Sequence, residues 1–256
     1  MRGLSQLLIR ERLLLFGEEG TGKTYSLLGI ALAHPQSLCY IIDPDAGVAK
    51  VLEELGGAKQ FPNVEYAMCP GWPEIYKAFN EAHAMLKKGD WLFMEHLGRV
   101  WEKAQDFYSV LIYKTMAPEH LLTLKQAKAE GEKVALLGSF GEEGDWRTIR
   151  SLHSTVVDRA ALEGIYNIAA TSAIRPLNPK EVGQQWAMVY EGAKPEGEKH
   201  NGYRADTIAQ LTRKPIPGSK PPAYTYLAKI LKDKGRKVGA ELDTTDRGFW
   251  GAYKEE

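Results

Sequence analysis

The chain has 256 residues, and its 33 lysine and arginine residues balance its 33 aspartate and glutamate residues. This length suffices to bury the core of one α/β domain, so we expect residues 1–256 to form a single domain. Balanced charge excludes the global basic field that draws proteins to nucleic acid or anionic membranes. Any polyanion site must therefore be local.

Cysteine usage and hydropathy indicate a cytoplasmic protein. Cys39 and Cys69 are too few for a disulfide framework and lack zinc-knuckle spacing, so we interpret both as buried small apolar residues. The sequence shows neither a signal-peptide pattern nor an apolar run long enough for a transmembrane helix. We therefore expect a cytoplasmic location and no membrane partner.

Short apolar runs alternate with helical patterns along most of the chain. Strands are predicted over residues 13–16, 38–42, 91–94, 165–170 and 225–231. Helices are predicted over residues 23–33, 49–55, 73–87, 103–114 and 146–163. This alternation predicts an α/β fold with a mostly parallel central sheet flanked by helices.

Prolines become frequent in the sequence after Ser172. We interpret residues 174–203 as a long surface loop or mobile hairpin, and residues 204–236 as late strands at the sheet edge. Residues 238–256 are expected to form a C-terminal tail.

A glycine-rich motif directly follows the first predicted strand. Residues 17–24 read Gly-Glu-Glu-Gly-Thr-Gly-Lys-Thr, a P-loop pattern in which backbone N–H groups and a helix N-terminus surround phosphates. In this pattern Lys23 reaches the β and γ phosphates of ATP, and Thr24 holds Mg²⁺. The predicted nucleotide-binding residues are Gly17, Glu18, Glu19, Gly20, Thr21, Gly22, Lys23, Thr24 and Tyr25. The alternative, a chance glycine-rich turn, is disfavoured by the strand before the motif and the helix after it.

Carboxylates follow the second and third predicted strands. Asp43 and Asp45 close the second strand, and Glu95 follows the third. Because ligands bind at the carboxyl ends of strands in such sheets, Asp45 or Glu95 is expected to orient water, and Glu95 to contact magnesium. Alternatively, Asp43 and Asp45 cap the helix that starts near Gly47.

The fourth predicted strand ends in a small polar pair, Thr171 and Ser172. This position suits a sensor of the γ-phosphate, although a simple strand-to-loop turn also explains it. The P-loop, the two acidic positions and this pair follow successive strands in chain order. Their joint order is stronger support for a nucleotide site than any one of them.

On these residues the chain resembles the RecA core, and more closely the short phage ATPases of RecA type that act in single-strand annealing and recombination. Residues 39–45 look like the RecA segment whose last acidic residue activates the attacking water, which implies that role for Asp45. Glu95 stands where the family usually carries Asp, and Ser172 or Thr171 stands where RecA has a glutamine sensor.

The resemblance spans most of residues 8–237 and extends to a late strand. Residues 229–234 look like the RecA strand whose lysines reach the ATP of a neighbouring subunit. This likeness implies that Lys232 and Lys234 act in trans. It also implies a homo-oligomer, either a filament or a ring, with ATP bound between subunits.

The same resemblance implies single-stranded DNA as a partner, with a single-strand-binding protein as a further one, in the host cytoplasm if a phage encodes the chain. RecA-type DNA-binding loops correspond to residues 98–130 and 174–203. The second segment mixes basic and aromatic residues: Arg175, Lys180, Trp186, Tyr190, Lys194, Lys199 and Tyr203. Trp186 and Tyr190, four residues apart, equally fit the buried face of a short helix.

Two other classes of protein share the P-loop. A small-molecule kinase needs convergent arginines in a lid, and residues 120–150 offer only Arg147 and Arg150. A DNA-packaging or helicase-loading motor would use Glu95 as its catalytic base. Such motors usually carry Asp immediately before that residue, where this chain has Met94. An ATP-dependent, single-stranded-DNA-binding ATPase is therefore the first hypothesis.

Overall fold

The computed structural model describes residues 10–131, 143–235 and 237–255. Within them one sheet is built from nine strands: β1 (Arg12–Gly17), β2 (Cys39–Asp43), β3 (Val64–Met68), β4 (Trp91–Met94), β5 (Asn167–Pro176), β6 (Ala193–Pro195), β7 (Thr207–Pro215), β8 (Tyr224–Asp233) and β9 (Glu241–Asp243). The α-helices are α1 (Lys23–Ala33), α2 (Gly47–Glu54), α3 (Gly57–Gln60), α4 (Trp72–Met85), α5 (Leu97–Tyr113), α6 (Ala117–Ala129), α7 (Glu143–Glu163), α8 (Asn201–Arg204) and α9 (Gly248–Glu255).

The sheet has the strand order β3-β2-β4-β5-β1-β7-β8-β9, and β6 pairs with the end of β5. The first six strands of this order run parallel, whereas β8 and β9 add antiparallel pairs at one side. Strand β1 therefore lies inside the sheet, between β5 and β7. The carboxyl ends of all six parallel strands meet at one edge, the carboxyl edge.

Helices cover both faces of the sheet, so its central strands are apolar on both sides. Leu14 and Phe16 of β1 join a core with α4, α5 and α7, while Leu13 and Leu15 join a second core with α1 and α9. The continuous apolar run of β1 is explained by this two-sided burial. Cys39 and Cys69 are buried free thiols, as the sequence predicted.

This architecture confirms the predicted α/β fold with a mostly parallel central sheet flanked by helices. The sequence reading missed β3 and α6. Strand β3 is an edge strand whose side chains are only partly buried, so it lacks an apolar run. Helix α6 buries only four of its thirteen residues, which leaves its apolar periodicity weak.

Other boundaries also differ from the predictions. Helix α5, predicted from residue 103, already begins at Leu97. The fourth predicted strand starts later and runs on to Pro176, because its outer end pairs with β6. The mobile loop or hairpin expected over residues 174–203 stays a prediction. The segment expected as a tail contains β9 and α9, whose Phe249 and Trp250 are buried against the sheet. The reading of residues 1–256 as one domain stays a prediction.

Candidate nucleotide-binding site

The P-loop connects β1 to α1 at the carboxyl edge, and its glycines are required by the geometry. A Cβ on Gly17 would lie 2.4 Å from the carbonyl oxygen of Leu211 on the adjacent strand β7. Gly22 has φ of 86°, a left-handed conformation that side chains disfavour, and it immediately precedes α1. Glycine at these positions lets the loop turn tightly and leaves the first N–H groups of α1 pointing into the loop.

Lys23 is held ready inside the loop. Its Nζ donates hydrogen bonds to the carbonyl oxygens of Gly17, at 2.9 Å, and Glu18, at 2.7 Å. The Thr21 hydroxyl also donates to the Glu18 carbonyl, at 2.8 Å, which closes the loop on itself. Burial lowers the pKa of Lys23, while the charges of Glu95 and Glu19 oppose this effect. The ammonium group is thus placed at the centre of the loop before any phosphate arrives.

Thr24 and Glu95 are brought together although 71 residues separate them. The Thr24 hydroxyl donates to Oε1 of Glu95 at 2.8 Å. Glu95 immediately follows β4, and its backbone N–H donates to the Ile42 carbonyl of the adjacent strand β2 at 3.0 Å. The sheet therefore fixes the backbone of Glu95, and the start of α1 meets its side chain. The structure places the two predicted metal-binding residues side by side.

The Glu95 carboxyl group is shielded from solvent. Its side chain is buried, and among the described residues Oε2 has no hydrogen-bond partner. Burial raises its pKa to about 7, an effect that hydrogen bonds from Thr24 and Thr171 partly offset. A free carboxylate oxygen beside a threonine hydroxyl supplies the hard oxygen ligands that Mg²⁺ prefers. The residues present thus fit a magnesium ion held by Thr24 and Glu95.

Asp43 and Asp45, which the sequence left open between capping and catalysis, have different environments. Asp43 is fully buried and accepts hydrogen bonds from the backbone N–H of Val48, at 2.9 Å, and from the Tyr66 hydroxyl, at 3.1 Å. It therefore serves as the anchor of α2. Asp45 is partly exposed at the carboxyl edge, with Oδ2 at 3.9 Å from Nε of Arg99. Of the two, Asp45 alone is accessible to a ligand.

Thr171 and Ser172 lie inside β5 rather than at its end. The Thr171 hydroxyl accepts a hydrogen bond from the backbone N–H of His96, at 2.8 Å, so it lies beside the Glu95 segment. The Ser172 hydroxyl donates to the Glu196 carbonyl at 2.9 Å and is fully buried. Thr171 is therefore the member of this pair that lies beside Glu95. A sensor role for Ser172 stays a prediction.

Lys232 and Lys234 lie at the opposite edge of the sheet from the P-loop. Strand β8 runs antiparallel, and Lys232 pairs in register with Ile208 near the start of β7. The Lys232 ammonium group donates to the carbonyl of Gly202, at 2.8 Å, and to a second backbone carbonyl. Lys234 forms an ion pair with Asp206 at 2.5 Å. Both lysines have partners within the chain, and their role in trans stays a prediction.

The two predicted DNA-binding segments are largely ordered into packed structure. Residues 98–130 lie almost entirely in α5 and α6. In residues 174–203 Tyr190 is buried edge-on against Phe16, with ring centroids 5.9 Å apart, so the alternative of a buried aromatic holds for it. Trp186 is half-buried, and the buried Lys194 ammonium group lies 4.3 Å from its ring centroid. Neither aromatic ring is free to stack on a base.

Two arginines at the carboxyl edge were not predicted as residues of the nucleotide site. Arg99, at the start of α5, lies between Asp45 and Glu102. Arg213, near the end of β7, packs against Gly20 of the P-loop. Neither belongs to a motif, and only tertiary structure brings them to the site.

Fold and site together define an α/β protein with a P-loop at the carboxyl edge of a mostly parallel sheet flanked by helices. The crystal structure of the RadB recombinase is similar to this chain, with a TM-score of 0.48 and 11% sequence identity over 93% of this chain and 89% of that chain. No protein-family model and no curated protein matches the sequence.

Two kinds of feature are absent from the described residues. No helix among them has the length and apolarity needed to cross a membrane. They also hold no group of three or more histidine, cysteine, aspartate or glutamate side chains arranged to bind a metal ion. A magnesium ion at Thr24 and Glu95 would therefore need ligands from nucleotide and water to complete its coordination.

The raised pKa of Glu95 predicts a specific pH dependence of stability. A carboxyl group whose pKa rises from 4.5 to about 7 on folding stabilises the protein below the lower value, and this contribution is lost as pH rises through about 7. We expect Glu95→Gln to be more stable than the native chain at pH 8 by about 1–3 kcal/mol, with the difference vanishing below about pH 4. Urea denaturation at a series of pH values measures this difference. A pH-independent difference would contradict the assigned environment of Glu95.

Proposed function

We propose that this protein is a magnesium-dependent ATPase of RecA type that binds single-stranded DNA and assembles with ATP between subunits. The observation that carries the ATPase part is the 2.8 Å hydrogen bond between Thr24 and Glu95 beside a complete P-loop. A P-loop binds phosphate, and its threonine together with an adjacent acidic residue holds one magnesium ion.

Each residue of the site has a distinct part in this proposal. The loop N–H groups and Lys23 bind the phosphates, for which Lys23 exchanges its bonds to the carbonyls of Gly17 and Glu18. Thr24 and Glu95 hold Mg²⁺, which when bound neutralises phosphate charge. Because burial holds Glu95 near its neutral form, loss of its proton accompanies metal binding.

Asp45 is the residue we propose to orient the attacking water. It is accessible at the carboxyl edge, whereas Glu95 is committed to Thr24 and Asp43 to the start of α2. Arg99, 3.9 Å from Asp45, limits the directions in which this short carboxylate can point. Under this assignment Asp45→Asn reduces turnover and leaves ATP binding intact.

The ATPase proposal is tested by removing the P-loop lysine. We expect Lys23→Ala to lower ATP turnover by about 100-fold or more, because it removes a preorganised charge from the transferring phosphoryl group. Lys50→Ala, which removes an exposed lysine paired with Glu54 on α2, is the matched control and should match the native chain. Phosphate release and fluorescent-nucleotide binding measure the two steps. Turnover that survives Lys23→Ala would refute the proposal.

The DNA-binding part is supported by exposed cations in residues 174–203. Lys180 and Lys199 are exposed and, among the described residues, form no ion pair. Tyr203 is 53% exposed and stacks against His200, with ring centroids 5.9 Å apart. Two free cations and one exposed aromatic ring are the elements with which proteins hold a single strand. With Tyr190 and Trp186 packed inward, Tyr203 is the aromatic residue we propose to contact a base.

Reversing these charges tests the DNA-binding part. We expect the double variant K180E/K199E to weaken binding of a single-stranded oligonucleotide at least tenfold and to reduce the salt dependence of binding. The matched control is K87E/K88E, which makes the same charge change at exposed positions before β4, at the amino edge of the sheet. Fluorescence anisotropy at several salt concentrations measures both. Equal weakening in the two variants would show that residues 174–203 hold no specific DNA site.

A further inference from the structure

The strands β7 and β8 present a row of three side chains to the P-loop. Arg213 on β7 stands opposite Tyr226 on β8, and Tyr224 lies diagonally across. Side chains alternate between the faces of a strand. Because Leu211 is buried in the core that contains α1, Arg213 lies on the same face of the sheet as the P-loop and α1.

Arg213 contacts the loop, and Tyr226 lies beside it. The Arg213 guanidinium lies so close to Gly20 that a Cβ at that residue would be 2.6 Å from its Nη1. The ring of Tyr226 would be 3.8 Å from a Cβ on Gly22. The β7–β8 pair thus covers the P-loop from the side opposite β5, and only glycine at residue 20 leaves room for the guanidinium.

The Arg213 guanidinium has no ion-pair partner within the described part of the chain. No carboxylate among the described residues forms an ion pair with it, and its guanidinium carbon lies 4.8 Å from the ring centroid of Tyr224. An aromatic face orients a guanidinium without neutralising it. A cation in this position is free to pair with an anion that enters the loop.

We propose that Arg213 binds the phosphate chain of the nucleotide in the P-loop of its own subunit, as a second cation beside Lys23. The planar guanidinium donates two parallel hydrogen bonds to phosphate oxygens, which the single ammonium group of Lys23 cannot do. Tyr224 orients the guanidinium by packing its ring against it, and Tyr226 covers the loop beside Gly22. This inference rests on the proposed function, because it assigns one more residue to the same nucleotide site.

The experiment compares Arg213→Ala with Lys214→Ala. Lys214 is the next residue on β7 and is also exposed, so both variants remove one positive charge from the same strand end. ATP and inorganic tripolyphosphate are titrated against a fluorescent nucleotide. Tripolyphosphate has no base or sugar, and its affinity therefore reports phosphate contacts alone. Circular dichroism confirms that both variants are folded.

We expect Arg213→Ala to weaken the binding of both probes about tenfold or more, the usual loss for a charged hydrogen bond. The affinities of Lys214→Ala should stay within about twofold of those of the native chain. Unchanged or tighter binding by Arg213→Ala would overturn the proposal, since the guanidinium would then contribute nothing to phosphate binding. A native chain that binds neither probe would refute the proposed nucleotide site itself, and this inference with it.

A mixing experiment separates action within one subunit from action between subunits. Lys23→Ala supplies an intact Arg213, and Arg213→Ala supplies an intact P-loop. If Arg213 serves its own subunit, their mixture turns over ATP no faster than the two variants measured apart. Recovery of turnover in the mixture would place Arg213 in a neighbour's site and overturn the assignment.

Discussion

The hydrogen bond from Thr24 to Glu95 joins residues that follow two strands, β1 and β4, which are not neighbours in the sheet. Strand β5 lies between β1, which leads into the P-loop, and β4, which precedes Glu95. The bond forms because parallel pairing aligns the carboxyl ends of all three strands at one edge. This alignment brings together the P-loop, the acidic residues at the ends of β2 and β4, and the polar pair in β5.

Burial gives the site its electrostatic character. Glu95 is dry enough for its pKa to rise to about 7, and burial lowers the pKa of Lys23. Both shifts favour the neutral forms, because both groups have lost water around them. Charged groups interact more strongly with one another in such a dry environment than they would in water.

The direction of each strand decides which cations lie beside the P-loop. Because β8 runs antiparallel, its late residues Lys232 and Lys234 return to the amino edge and bond to groups near the start of β7. The same hairpin carries Arg213 past the end of β7 to the P-loop. A resemblance at the level of short sequence segments pointed to the two lysines. Strand direction instead places the arginine beside the P-loop.

The sequence by itself determined the fold class, the P-loop and the acidic positions, because each has a local signal: apolar runs for buried strands, and a glycine pattern for phosphate binding. It could not divide the roles of Asp43 and Asp45, since capping and catalysis require the same residue type. Nor could it find Arg213, whose signal is only its register opposite Tyr226 and its distance from Gly20. Only the tertiary structure shows the different surroundings of Asp43 and Asp45 and the position of Arg213 beside Gly20, because these contacts join residues far apart in the chain.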